Sequence, residues 1–248
     1  MASREYKRGK KPVIHSSQVY NYLTCPAMKR LSELIPTEPS KAMTDGLIIE
    51  RMVFGDKDNL LPELLKGKKE NTIAEYQRKA DKIKPYFNGG EAFKKIEFSA
   101  RLFDAVLVGE VDYFTDSILY DLKVSSSHKY WEMRNTKTEF LQAIFYPYIL
   151  SLKDNLNNRD YTPREFHYVV FAQDTELVKT YVCKPDQIEK HFQWIEGVVD
   201  EIINEPFFSA YPDEQRCLQQ TYGVCNYLDN CKEAQEFFNH LTKEVQIG

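Results

Sequence analysis

Two aspartates and a lysine stand in the stretch of this chain best suited to chemistry. Asp121 and Lys123 lie two apart in the run Ile118–Val124, a spacing that sends both side chains from one face of an extended strand. Asp112 lies in the preceding run, Val108–Phe114, where apolar Val111 and Tyr113 alternate with polar Glu110 and Asp112. A short turn around Asp116-Ser117 would fold the two runs into a β-hairpin and let Asp112 face the other two. Carboxylates and an ammonium gathered among apolar neighbours are costly unless compensated. A divalent cation compensates them, because magnesium and manganese prefer carboxylate oxygens. The lysine could then orient water or offset developing negative charge. The same pattern also suits a solvated hairpin face with an Asp–Lys ion pair, and the hairpin alone leaves both readings open.

The surrounding elements must place these groups. Ser16-Ser17 offers N-caps for a helix interrupted at Cys25-Pro26 and resumed to about Ile35. Ser40 opens a second helix that stops at Gly55 and carries Glu50 among apolar neighbours. Residues 56–71 read as a loop with a helical turn, and Thr72–Lys84 as a helix ended by Pro85. Alternation of Ile96, Phe98, Ala100 and Leu102 predicts a strand over Lys95–Phe103, which with the hairpin makes a three-stranded antiparallel meander. After a polar loop at Ser125–Lys137, Glu139–Leu152 is an amphipathic helix with Pro147 as its expected kink. Glu165–Phe171 and Leu177–Cys183 are two further strands, and Pro185–Glu205 is one long helix. Pro206–Asn230 is irregular, and Ala234–Val245 is a last helix. The order predicts a mixed α/β fold with a central mixed sheet flanked by helices.

With 248 residues the chain can bury one sizeable core. Its opening is basic and lacks an apolar signal segment, and Ala143–Leu150 is too short to span a bilayer, so a cytoplasmic protein without membrane association is expected. A formal net charge of −4 does not advertise a nucleic-acid binder. The basic residues of the first eleven positions read as a solvated tail that could also touch phosphates. Five cysteines are too few for a disulfide scaffold at this size, yet Cys217, Cys225 and Cys231 fall within fifteen residues.

Five short motifs occur in order. They are Ser17 to Cys25-Pro26 with Tyr20 and Tyr22 between, Gly46 with Glu50 four residues on, Gly109-Glu110-Val111-Asp112, Asp121-Leu122-Lys123, and Gln142 with Tyr146. In this order the chain resembles the PD-(D/E)XK nuclease superfamily. Within it, the chain looks like the RecB-like exonucleases, including CRISPR-associated and phage-encoded members. The resemblance covers nearly the whole chain and implies a restriction-endonuclease-like core over residues 13–248, after a flexible tail over residues 1–12.

The resemblance also implies roles. Asp112 and Asp121 would be the principal Mg2+ or Mn2+ ligands, with Glu50 and the backbone carbonyl of Val124 assisting. Lys123 would position and activate the attacking water. Gln142 and Tyr146, one helical turn apart, would contact DNA or brace the site, against a plainer reading as a polar cap and a core tyrosine. Glu97 and Glu110 are spare carboxylates, with Glu110 expected to point away from Asp112. The implied activity is metal-dependent hydrolysis of phosphodiester bonds, as an exonuclease on single-stranded DNA or end-bearing duplex. Repair, recombination or CRISPR-adaptation proteins would be its partners. Two other readings compete: a catalytically silent DNA-binding or scaffold subunit, and an RNA- or structure-specific endonuclease.

Cys25, Cys217, Cys225 and Cys231 resemble the iron–sulfur staple of this nuclease branch, joining residues 13–36 and 206–248 into a lobe. The spacing departs from the commonest family pattern, because Tyr222 stands where its first clustered cysteine would be and Cys217 must replace it. Four thiolates suit a [4Fe-4S] cluster or zinc, and the resemblance favours the cluster. Cys183, on a strand, reads as a core residue.

Overall fold

The computed structural model describes residues 11–35, 38–100, 105–134, 139–157 and 159–204, together with 225, 227, 231, 232 and 235. The chain divides into two compact units, one of residues 1–38, 99–107 and 196–248 and the other of residues 39–98 and 108–195.

The second unit carries the hairpin. Helix α3 (Lys41–Phe54) begins where the Ser40 hydroxyl accepts the Met43 N–H at 3.2 Å. It stops at Gly55, whose φ of +99° suits glycine. The following loop contains α4 (Leu61–Leu65). Helix α5 (Glu70–Ile83) does not simply end at Pro85: the chain tightens into a 3-10 turn, Lys84–Tyr86, with the proline inside its first turn. Strand β2 (Glu91–Ala100) starts four residues earlier than its alternation indicated, and the rest of its expected span, residues 101–103, lies outside the described residues.

Strands β3 (Ala105–Phe114) and β4 (Ile118–Ser125) form the hairpin, antiparallel with Tyr113 opposite Tyr120 and Phe114 opposite Leu119. The loop after β4 contains a short helix, α6 (Lys129–Glu132). Helix α7 (Leu141–Leu156) then runs through Pro147 and returns the chain to β5 (Glu165–Ala172), which lies parallel to β4 along its whole length. A parallel neighbour needs such a crossover, and α7 supplies it. Strand β6 (Leu177–Cys183) closes the path antiparallel to β5. The sheet order β3-β4-β5-β6, with β2 on β3, is therefore mixed, as expected.

Strand β5 lies inside the sheet, between β4 and β6, and its Phe166 and Tyr168 to Ala172 are all buried. Such a continuous apolar run marks a strand covered on both faces. On one face Ile48, Ile49 and Ile83 from α3 and α5 pack with Leu122, Val169 and Phe171. Burial pushes the Cys183 thiol up to about 11, as fits a packed rather than a reactive cysteine.

In the first unit a strand that the sequence did not signal, β1 (Val13–His15), precedes α1 (Ser16–Thr24), and the Pro12 carbonyl just before it accepts the Val106 N–H at 2.8 Å. Cys25 is extended between α1 and α2 (Pro26–Leu34), with Pro26 opening the second helix. The long helix expected over Pro185–Glu205 is instead two, α8 (Pro185–Glu189) and α9 (Phe192–Asn204). The Tyr22 hydroxyl donates to Glu201 on α9 at 3.3 Å. Cys25 and Cys225 pack against a small cluster of Ala27, Leu31, Tyr227 and Cys231. The basic residues up to Lys10, Cys217 and the expected last helix lie outside the described residues. Among the described residues no helix is long and apolar enough to cross a membrane.

Candidate active site

Strand alternation places Asp121 and Lys123 on the opposite side of β4 from Leu122, which packs with α3 and α5. Asp121 is only 3% exposed. The Lys123 ammonium donates to Asp121 Oδ1 at 2.9 Å and stands 2.7 Å from Oδ2. That second oxygen is buried, with the ammonium beside it. Asp112 is fixed differently. Its carboxylate accepts the Leu122 N–H of β4 at 2.7 Å.

Glu50 approaches from α3. Its carboxyl is raised by burial, with Asp121 and Glu110 adding to the effect and Arg51 and Lys123 opposing it. Burial also holds the Asp112 carboxyl well above the usual range, reinforced by the charges of Asp121 and Glu50. Asp121 is raised by burial too, against the favourable charge of Lys123. For Lys123, burial opposes ionisation, but Asp121 and Asp112 outweigh it and keep the ammonium charged beyond the ordinary lysine range. As it stands this lysine donates hydrogen bonds and positive charge to Asp121.

The crossover helix α7 brings in Gln142 and Tyr146. The Gln142 amide donates to the Tyr146 hydroxyl at 3.3 Å and also favours the ionised form of Asp121. Tyr146 is 5% exposed, and its ring lies against β3 at Gly109. The ring is core, while the hydroxyl meets Gln142. A Cβ at Gly109 would sit 2.6 Å and 2.7 Å from that ring, so the glycine of Gly109-x-Val-Asp112 is needed for close approach. Gly109→Ala is expected to cost about 1–3 kcal/mol in thermal unfolding and to lower cleavage by displacing Tyr146. Wild-type values for both would show that the ring is not held there.

Gly46 faces Val124 across an ordinary contact, 4.0 Å from its Cβ position. The Val124 side chain packs with the apolar cluster of Leu122, on the face away from Lys123. Two residues that the motifs did not flag also bear on the site. Arg51, 7% exposed, has Nη1 3.6 Å from Glu50, donates from Nη2 to Asp58 at 3.0 Å, and lies 4.6 Å from the centre of the Phe93 ring. The charge of Arg134, in the loop after β4, favours ionised Asp121. Its position in a polar stretch gave no signal of that. Glu110, set aside earlier, ion-pairs with Lys57 and adds to the negative field at Glu50.

The donor chemistry fits a divalent cation. Three mutually repelling carboxylates, with Asp121 buried, offer the oxygen donors that such an ion prefers. Among the described residues no three His, Cys, Asp or Glu side chains already stand as a metal-ligand set. Repulsion has a thermodynamic consequence. Carboxyls raised above their unfolded values stabilise the fold most at low pH, and this contribution is lost as pH rises through their folded pKa values. Asp112→Asn is therefore expected to raise the midpoint of metal-free protein near neutral pH by roughly 2–4 °C, about 1 kcal/mol, while diminishing the stabilisation by Mg2+. Paired melts with Mg2+ and with EDTA check this; unchanged stabilisation by Mg2+ in the variant would remove Asp112 from the ligand set.

Comparison with known proteins gives the family. The sequence profile of the PD-(D/E)XK nuclease superfamily matches residues 17–232, and the chain belongs to that superfamily. Its members are typically metal-dependent nucleases that use ions such as Mg2+ or Mn2+ and act on nucleic acid. Among solved structures, one titled "Crystal structure of SSO0001" is similar at 12% identity over 77% of each chain, with a TM-score of 0.36. No curated protein sequence matches the chain.

Proposed function

We propose that the protein is a metal-dependent deoxyribonuclease of the RecB-like branch, removing nucleotides from DNA ends. The observation that carries this reading is the contact of Lys123 with buried Asp121, beside Asp112 and Glu50. Asp112 and Asp121 would hold the cation, with Glu50 completing the carboxylate set and the Val124 carbonyl as a further oxygen. When bound, the ion lowers the pKa of water and offsets charge on the phosphoryl oxygens. Lys123, kept charged by its two aspartates, supplies a fixed positive charge where negative charge develops. Gln142 holds the Tyr146 hydroxyl and favours ionised Asp121, so α7 braces the carboxylate rather than leaving it to rotate.

The packing of Cys25, Cys225, Tyr227 and Cys231 in one small cluster supports the further reading that these thiols, with Cys217, hold a [4Fe-4S] cluster or zinc. End-labelled single- and double-stranded DNA incubated with Mg2+, Mn2+ or EDTA tests the activity. Release of mononucleotides or short products from ends, abolished by EDTA, is expected. Internal cuts alone would keep a nuclease and reject the exonuclease; intact DNA under both metals would reject the activity.

A further inference from the structure

Helix α6 is short and its side chains divide sharply. Trp131 is buried, 5.1 Å from the ring of Tyr168 and 5.9 Å from that of Tyr181. Buried His128, just before it, lies 3.2 Å from the Leu177 carbonyl through Nε2, and the Tyr181 hydroxyl lies 3.3 Å from its Nδ1. Glu132 ion-pairs with Lys179 on β6 at 2.9 Å. The segment is therefore pinned to the sheet by three side chains. Against that fixed base Tyr130 is 65% exposed and Met133 66% exposed.

An isolated exposed apolar residue needs no explanation. Here two large ones stand three apart, one turn of helix, on a segment that has little freedom to fold them away. Cations flank them. Lys129 is exposed on one side. On the other, the Arg134 guanidinium lies 3.8 Å from the centre of the Trp131 ring and donates to the Glu139 carbonyl at 3.1 Å. The segment begins four residues after β4 ends, and Tyr168, against which Trp131 packs, stands opposite Asp121 in the β4–β5 register. An aromatic ring and a thioether between two cations, beside the carboxylates, complement a strand of bases and phosphates. A base can offer its face to such a surface only where it is not stacked inside a duplex.

We infer that Tyr130 and Met133 form a stacking surface for the unpaired bases of a nucleic-acid strand whose phosphates are held by Lys129 and Arg134 next to the reacting phosphodiester. The inference rests on the nuclease reading and adds the surface that takes the unpaired bases. Because the rigid backbone of α6 is supplied by Trp131 and His128, the strand meets a surface that needs no ordering of its own.

Binding to the full chain in EDTA separates this inference from cleavage. The probes are a single-stranded DNA carrying 2-aminopurine, whose fluorescence falls on stacking, and a blunt duplex of the same sequence. Wild-type protein is expected to quench the single strand. Tyr130→Ala and Met133→Ala should each lose quenching and bind the strand about 5- to 100-fold more weakly, with duplex affinity little changed, and Tyr130→Trp should restore both. Arg134→Gln should weaken all binding and reduce the salt dependence by about one ion. Single-strand affinity and quenching equal to wild type in both alanine variants would overturn the inference. So would loss of self-association in Tyr130→Ala with DNA binding intact, which would assign the surface to a second copy of the chain. Strand quenching without cleavage under Mg2+ or Mn2+ would support the stacking surface and overturn the proposed activity instead.

Discussion

Lys123→Ala is expected to slow DNA cleavage by on the order of 10²–10³ or more, the usual effect of removing one fixed positive group from developing negative charge. Single-turnover cleavage of end-labelled DNA under saturating Mg2+ measures it. The ammonium is the direct partner of Asp121, and its charge is sustained by both aspartates. The same variant leaves a buried carboxylate uncompensated, and the metal-free protein should melt earlier, with Mg2+ recovering part of the loss. Lys123→Met combined with Asp121→Asn should restore stability without restoring cleavage, which separates charge balance from chemistry. Near-normal turnover in Lys123→Ala would mean that the β3–β4 hairpin is not the active site.

The hairpin was legible in the sequence because both of its signals are local. Alternation fixes which residues share a face, and the Asp116-Ser117 turn brings Asp112 back toward Asp121. Ser40, Gly55 and the motif residues likewise announce their elements through nearest neighbours. What could not be read is what depends on distant packing. Nothing in the run around Arg134 tells that its charge reaches Asp121, since a long loop hides direction. The break at Lys190–His191 escaped because apolar periodicity continues through it in both helices. Strand β1 is too short to alternate, so only its neighbours on β3 define it. Gly109 could be matched to a motif, but its reason is the Tyr146 ring, thirty-seven residues away in sequence.

Replacing Cys231 or Cys25 by serine is expected to have the second large effect. If four thiolates hold one cubane, anaerobically purified wild-type protein is brown with about four irons per chain, and each variant loses colour and iron together. The two ends of the chain should then become protease-sensitive first, because the tie between them is lost. Hydrolysis moves no electrons, so lost activity should follow lost structure. Colourless protein with one zinc would keep the metal tie and reject the cluster; metal-free protein with four readily alkylated thiols would reject both.

The bond from Leu122 N–H to Asp112 has a use beyond architecture. It places an amide proton between the two residues of the Asp-x-Lys pair and directly on a carboxylate whose charge state changes with pH and with metal. The 15N–1H resonance of Leu122 should therefore move as Asp112 is protonated or metallated, and its exchange with solvent should accelerate in Asp112→Ala. A single backbone signal would then report occupancy of the site in protein that cuts nothing, independently of any substrate.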